Sequence, residues 1–169
     1  MTLLDAPVFD ERKERRRSVL LYCSVAAVFV LFVCWWLVAG RPVDWPWHWN
    51  DNLFGRLTVN RFLSAVEQND LTKAYGIWMH DPDWQKHPEA HKAYSFDRFE
   101  QDFSSQSPDN EYGAFHSHKI AESCMCGGNT LLVAILINGR KSGALNLAYD
   151  PNTKSLNFSP PGVELYLGP

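Results

Sequence analysis

From Ser18 to Ala39 the chain carries no charged side chain, and neither Pro nor Gly interrupts it before Gly40. At ~1.5 Å rise per residue a helix of this length measures about 33 Å, enough to cross a hydrocarbon core of about 30 Å. Leu20, Leu21, Val25, Val28, Phe29, Val30, Leu31, Phe32, Val33 and Leu37 dominate the stretch. The pattern predicts a transmembrane helix over residues 18–39. Arg12, Lys13, Arg15, Arg16 and Arg17 stand just before it, and only Arg41 follows closely. Basic residues are retained on the cytoplasmic side, so the expected topology places the N-terminus inside and everything after Gly40 outside.

Two other readings of the stretch fit less well. A cleaved signal peptide has an apolar region of about 7–15 residues and a small-residue cleavage site. Here the run is longer, and Pro42 stands close behind the one plausible site, Val38-Ala39-Gly40. A lipoprotein box ending in Cys34 needs a small residue before the cysteine, and Val33 is there. Trp35, Trp36, Trp45, Trp47 and Trp49 support a retained anchor, because indole combines an apolar body with an N–H donor and favours the membrane–water boundary. Arg15, Arg16, Arg17, Trp35, Trp36, Trp45 and Trp47 are therefore the expected membrane-interface residues. The alternative for Trp45, Trp47 and Trp49 is packing on the domain that follows.

The rest divides accordingly. Residues 1–17 form a basic cytoplasmic tail, 18–39 the span, 40–53 a Trp-rich interfacial linker and 54–169 an outer domain. That domain is of a usual size for one hydrophobic core. From Asn50 onward ten Lys and Arg face fourteen Asp and Glu, a net charge of −4 with no basic patch. A nucleic-acid footprint needs clustered positive charge, so nucleic acid is excluded as the expected partner. Cys23 and Cys34 fall in the span, leaving Cys124 and Cys126 outside. Two cysteines make no disulfide framework, so the core must hold the domain together. Their scarcity points to a bacterial envelope, with the span in the inner membrane and the domain periplasmic or otherwise extracellular.

Val59, Phe62, Leu63 and Val66 fall at i, i+3, i+4 and i+7, one face of a helix that Thr58 is placed to cap. Asp70 is placed to cap a second helix carrying Leu71, Ala74, Tyr75 and Trp78, and Ser95 a third with Phe96, Phe99 and Phe103. A loop rich in His, Asp and Pro lies between, from His80 to His91. After the Ser104–Asn110 loop the period becomes two. Strands are expected over Tyr112–Ile120, Thr130–Ile137, Lys141–Tyr149 and Ser155–Phe158. Turns are expected at Gly127-Gly128-Asn129, Asn138-Gly139 and Asp150-Pro151-Asn152-Thr153, and Pro160-Pro161-Gly162 ends the sheet. Three helices followed by an antiparallel meander indicate an α+β domain, helices packed on one face of a curved sheet.

The run from Val59 to Tyr75, VNRFLSAVEQNDLTKAY, resembles the opening of NTF2-like (cystatin-like α+β) domains: an apolar helix, a small–Asp break, and a second helix with Ala at this offset. The Ser95-Phe96-Asp97-Arg98-Phe99 helix and the Gly-turned meander follow the same order, and the resemblance covers Phe54 to Leu167. It implies fold more than function, since this fold hosts isomerases, dehydratases, transport factors and many non-enzymatic binding domains. The acid–base pairs of its enzymatic members match no positions here, so no catalytic residue is carried over. Versions tethered by one N-terminal helix resemble accessory envelope proteins.

Three constellations bear on chemistry. The cone-shaped interior implied by the resemblance could be lined by Tyr75, Trp78, Tyr94, Tyr112 and Phe115 for an apolar or aromatic ligand, although aromatics at helical spacing are more often plain core. His116-Ser117-His118 and Cys124-Met125-Cys126 each put two ligand-type side chains on one strand face, which suits zinc or copper if neighbouring strands bring the pairs together. The cysteines could equally form a disulfide, closing a very tight ring. His87 and His91 stand at i, i+4, but Pro88 replaces the Glu of the zinc-protease pattern, so a solvated loop is the default there. The Asn157-Phe158-Ser159 sequon is disfavoured by Pro160. No phosphate loop or nucleophile elbow is present, and no cofactor is expected.

The leading expectation is a single-pass anchored, non-enzymatic domain. It would bind another membrane or envelope protein, or itself, through the sheet face that the helices leave open. Val133, Ile135 and Ile137 alternate with Leu132, Ala134 and Leu136, so both sheet faces carry apolar groups. The alternatives are a small-ligand binder or isomerase- or dehydratase-type enzyme using the cone, and a metal or redox site at His116, His118, Cys124 and Cys126.

Overall fold

A computed structural model describes residues 10–42, 44–126, 128–140, 143–160 and Leu165. It forms two compact units, Met1–Val38 and Ala39–Pro169. The described part of the first holds one helix, α1 (Glu11–Val38), 28 residues long and apolar enough to cross a membrane. None of its side chains is buried. It starts seven residues ahead of the expected span and takes in the basic run. Asp10 caps it, its Oδ1 accepting the Arg12 and Lys13 N–H groups at 3.1 and 3.3 Å. A short charged tail needs no core of its own to be helical when it continues an already nucleated helix, and Arg, Lys and Glu propagate one well.

The second unit is α+β: α2 (Trp49–Glu67), α3 (Leu71–Trp78) and α4 (Phe96–Phe103), then strands β1 (His118–Cys124), β2 (Leu131–Ile137), β3 (Leu145–Tyr149) and β4 (Leu156–Phe158). The strands form one antiparallel sheet in the order β1-β2-β3-β4. Short 3-10 turns occupy Pro46–His48, Trp84–Lys86 and Pro88–His91. The last two fall within the segment expected to be plain loop.

Local chemistry accounts for the element ends. Asn69 takes a left-handed φ of 57° and Asp70 N–H returns to Ala65 O at 2.9 Å, which stops α2 as a left-handed C-terminal residue does. Asp70 Oδ1 then accepts Lys73 N–H at 3.1 Å to start α3, and Ser95 Oγ accepts Arg98 N–H at 3.4 Å to start α4. Asn138 and Gly139 take φ of 52° and 71°, the paired positive values of a two-residue turn after β2. Thr58, by contrast, lies inside α2. That helix begins nine residues earlier, at Trp49, and takes in the last part of the expected linker.

The strands differ from expectation at two ends. Residues 112–117 are not extended into the sheet: β1 begins at His118 and continues to Cys124, with a bulge between Ile120 and Glu122. The reason lies in Asn138. Its Oδ1 accepts the His116 and Ser117 N–H groups at 2.8 and 3.2 Å, and its Nδ2 donates to Ala114 O at 2.8 Å, so the turn's side chain takes the partners a neighbouring strand would supply. β3 begins at Leu145 rather than earlier; residues 141–142, Gly127 and the expected sheet end at 161–162 lie outside the described residues.

Val59, Phe62, Leu63 and Val66 of α2 meet Leu131, Val133, Ile135 and Ile137 of β2 in one core with Ala74, Tyr75, Trp78, Phe99 and Phe103. Gly55 sets how closely α2 approaches the sheet, since a Cβ there would collide with Leu131 and would sit 2.8 Å from Tyr149 Cδ1. The opposite sheet face was expected to be open. Its central positions Leu132, Ala134 and Ala148 are instead buried, and Leu136 is half-buried.

Candidate functional site

Aromatic side chains gather where α2, α3 and α4 meet the sheet. Of the five residues expected to line a pocket, Tyr75, Trp78 and Phe115 are buried, and Tyr94 and Tyr112 are half-buried. They pack on one another and on further rings. The Phe62 ring lies 5.2 Å from Trp78 and 5.2 Å from Phe103, Tyr75 lies 5.2 Å from Phe99, and Trp78 lies 5.0 Å from Phe158. Such edge and tilted contacts at 4.5–7 Å are how aromatic rings fill a core. The hydroxyls serve the same end: Tyr75 donates to Tyr94 O at 2.6 Å, and Tyr94 donates to Asp102 Oδ2 at 2.7 Å. Burial, reinforced by that bond to an anion, raises the Tyr94 hydroxyl well above its ordinary value. Tyr75, Trp78 and Phe115, which the resemblance suggested as pocket walls, are thus core, and Tyr94 and Tyr112 pack against it. Tyr112 borders a shallow depression with Arg98, Asp102 and Asn146.

The two expected ligand pairs do not meet. His118 and Cys124 open and close β1, six residues apart, or about 20 Å at ~3.3 Å per residue. His118 also has both ring nitrogens occupied, Nδ1 with Glu67 Oε1 at 2.7 Å and Nε2 with Asn60 Oδ1 at 2.9 Å, so it ties the sheet edge to α2. His116 is exposed on the segment before the strand. Cys124 and Cys126 are joined by a disulfide. The Met125 N–H between them donates to Asp44 Oδ2 at 3.1 Å, and Asp44 O accepts from Trp49 Nε1 at 2.9 Å. The bridged loop is thereby fastened to the segment that leads into α2. Among the described residues no group of three or more His, Cys, Asp or Glu is arranged to hold a metal ion.

A third constellation was visible only in outline. His87 Nδ1 and His91 Nε2 both donate to one carboxylate oxygen of Asp81, at 2.9 and 3.1 Å. Asp81 itself accepts Asp83 N–H at 2.9 Å, and these bonds, that from His87 foremost, hold its carboxyl down at about 2. The two histidines do share a partner, but across a turn rather than on a helix. Their joint work is to fold the 80–91 loop back onto α3, where the Tyr75 ring lies 4.8 Å from Trp84 and 6.1 Å from His91.

That folded loop builds a groove the sequence did not signal. Thr58 and Arg61 of α2, Thr72, Lys73, Gly76 and Ile77 of α3, and His80, Pro82, Trp84 and Gln85 of the loop enclose about 530 Å³. Trp84 is fixed by its Nε1–H donating to Thr72 O at 3.2 Å and by stacking on Phe96 at 4.8 Å. Neither Arg61 nor Lys73 has an ion-pair partner among the described residues. Among the described residues the groove's one carboxylate, Asp70, is engaged in capping α3. Its walls therefore pair an apolar floor with two available cations, a combination suited to an acidic ligand with an apolar part. Arg61 and Lys73 are twelve residues apart on different helices, and Trp84 comes from a loop. No sequence spacing could have joined them.

Of the expected interface residues, Arg15, Arg16 and Arg17 are exposed at the start of α1, Trp35 and Trp36 are half-buried near its end, and Trp45 and Trp47 are exposed. Trp49 instead packs into the outer domain. Comparison with known proteins adds no relative: no family model, no curated protein and no solved structure matches the chain.

Proposed function

We propose that this is a single-pass membrane protein, N-terminus cytoplasmic, whose outer domain is a non-enzymatic accessory module that binds an acidic segment of another membrane or envelope protein. The carrying observation is the groove between α2, α3 and the 80–91 loop, where Arg61 and Lys73 flank Ile77 and Trp84 with no ion-pair partner among the described residues. The order of elements, helices first and then a four-stranded meander, supports an NTF2-like assignment. The aromatic residues that would line an enzymatic cone are packed against each other, which favours surface binding over interior chemistry. The buried centre of the second sheet face favours a binding surface on the helices over one on the sheet.

The test is an affinity pull-down of the detergent-solubilised full chain beside its Arg61→Glu/Lys73→Glu variant, read by mass spectrometry. One stoichiometric membrane partner that the wild type recovers and the variant loses supports the reading. A wild-type chain recovered alone, or a partner held equally by both, removes it.

A further inference from the structure

Outside α1, the large apolar side chains exposed among the described residues are Trp45, Trp47, Phe54, Leu57 and Phe158. Four of these five fall between Trp45 and Leu57, at 68%, 67%, 57% and 43% exposure. Soluble surfaces carry such residues singly, and their concentration marks an interaction site. Trp47, Asn50, Phe54, Leu57 and Arg61 are spaced 3, 4, 3 and 4 apart, the repeat of one helix stripe, and the Pro46–His48 turn runs directly into α2. Asn50 apart, the stripe is apolar as far as Leu57 and turns basic at Arg61. Trp45 and Trp47 are stacked, with ring centroids 5.1 Å apart and planes at 2°. Behind the stripe α2 is anchored by Val59, Phe62, Leu63 and Val66, so these side chains face outward from a fixed helix.

The tether decides what covers them. Only residues 39–44 separate the end of α1 from Trp45. Even fully extended, that chain reaches about 25 Å, so the Trp pair cannot leave the vicinity of the span's end. Indole and aromatic rings are the side chains that favour the headgroup boundary, and an amphipathic helix binds there by sinking its apolar face into it. We infer that the Trp45–Trp47 pair and the Phe54 and Leu57 side chains of α2 together dock on the outer leaflet of the bilayer, laying the outer domain against the membrane rather than leaving it to swing on a linker. The inference rests on α1 being the membrane anchor.

The full chain carrying Cys23→Ser, Cys34→Ser and Phe54→Cys, labelled with an environment-sensitive fluorophore, is reconstituted into phosphatidylcholine/phosphatidylglycerol vesicles. A fraction of the lipid bears a headgroup nitroxide. Leu57→Cys serves as a second reporter and exposed Gln106→Cys as the reference. The expected result is blue-shifted emission, quenching by the nitroxide lipid and loss of quenching by aqueous iodide at both stripe positions, with none of these at Gln106→Cys. Stripe labels as open to iodide as the reference overturn the docking. Labels shielded from iodide yet untouched by the nitroxide overturn it in favour of a protein cover, a second copy or another chain. Protein that fails to float with the vesicles fails the anchor reading itself, and the docking with it.

Discussion

Helices α1 and α2 draw on the same apolar residue types and treat them in opposite ways. In α1 leucine, valine and phenylalanine face outward on every side and none is buried. In α2 they are sorted: Val59, Phe62, Leu63 and Val66 are buried against the sheet, while the outer face carries Asn50, Asn60 and Arg61. A uniformly apolar helix suits a hydrocarbon solvent, and a one-sided helix suits a boundary between core and water. The first half of α2 breaks its own rule, with Phe54 and Leu57 on the wet side. That exception is what singles out its stripe.

Substitutions can break the contrast in order of expected size. Phe62→Ala removes a ring in contact with Trp78, Phe99 and Phe103 and should cost about 3–5 kcal/mol of domain stability, seen as a lowered thermal midpoint with membrane extraction unchanged. Val28→Arg should do the reverse. It places a charge at mid-span at a cost of about 2.5–3.5 kcal/mol for insertion, releasing the chain to alkaline extraction while the domain melts as before. A domain midpoint that falls equally in both variants would mean the two units are not independent.

Gly55→Ala sharpens the α2 side of the comparison. The new methyl meets Leu131 and the Tyr149 ring, so overpacking should cost about 1–3 kcal/mol, read from denaturant midpoints. An unchanged midpoint would show that α2 can lift from the sheet without loss. The smallest effect belongs to the 80–91 loop. The Asp81 carboxyl titrates at about 2 in the fold against an ordinary 3.8, so its contribution is present above the ordinary value and is lost as pH falls through about 2. Asp81→Asn should speed amide exchange in residues 80–91 near neutral pH, and the difference from wild type should close on acidification through that range. A difference that persists unchanged at pH 2 would assign the loop's order to packing alone.

Where one residue acts on its own neighbours, the sequence was readable. Asp70 and Ser95 cap the helices expected of them, Asn138-Gly139 turns the hairpin, and the stretch from Ser18 forms a helix long enough to cross a bilayer. These features depend on hydrogen bonds within a few residues or on uniform polarity, both local properties. Where the outcome depends on partners far along the chain, it was not. Tyr75 and Trp78 read as core with a pocket as the alternative until Phe62, Phe99 and Phe158 close on them. His118 read as a sheet residue with a ligand role as the alternative until Glu67 and Asn60, more than fifty residues away, took both its nitrogens. The alternation in β2 did not say that Leu132 and Ala134 would be buried as well, and nothing joined Arg61 to Lys73 and Trp84 before the chain folded. Helix caps, turns and bilayer-spanning length are short-range consequences of residue type. Grooves, filled cores and shared hydrogen-bond partners arise only when distant segments compete for the same space.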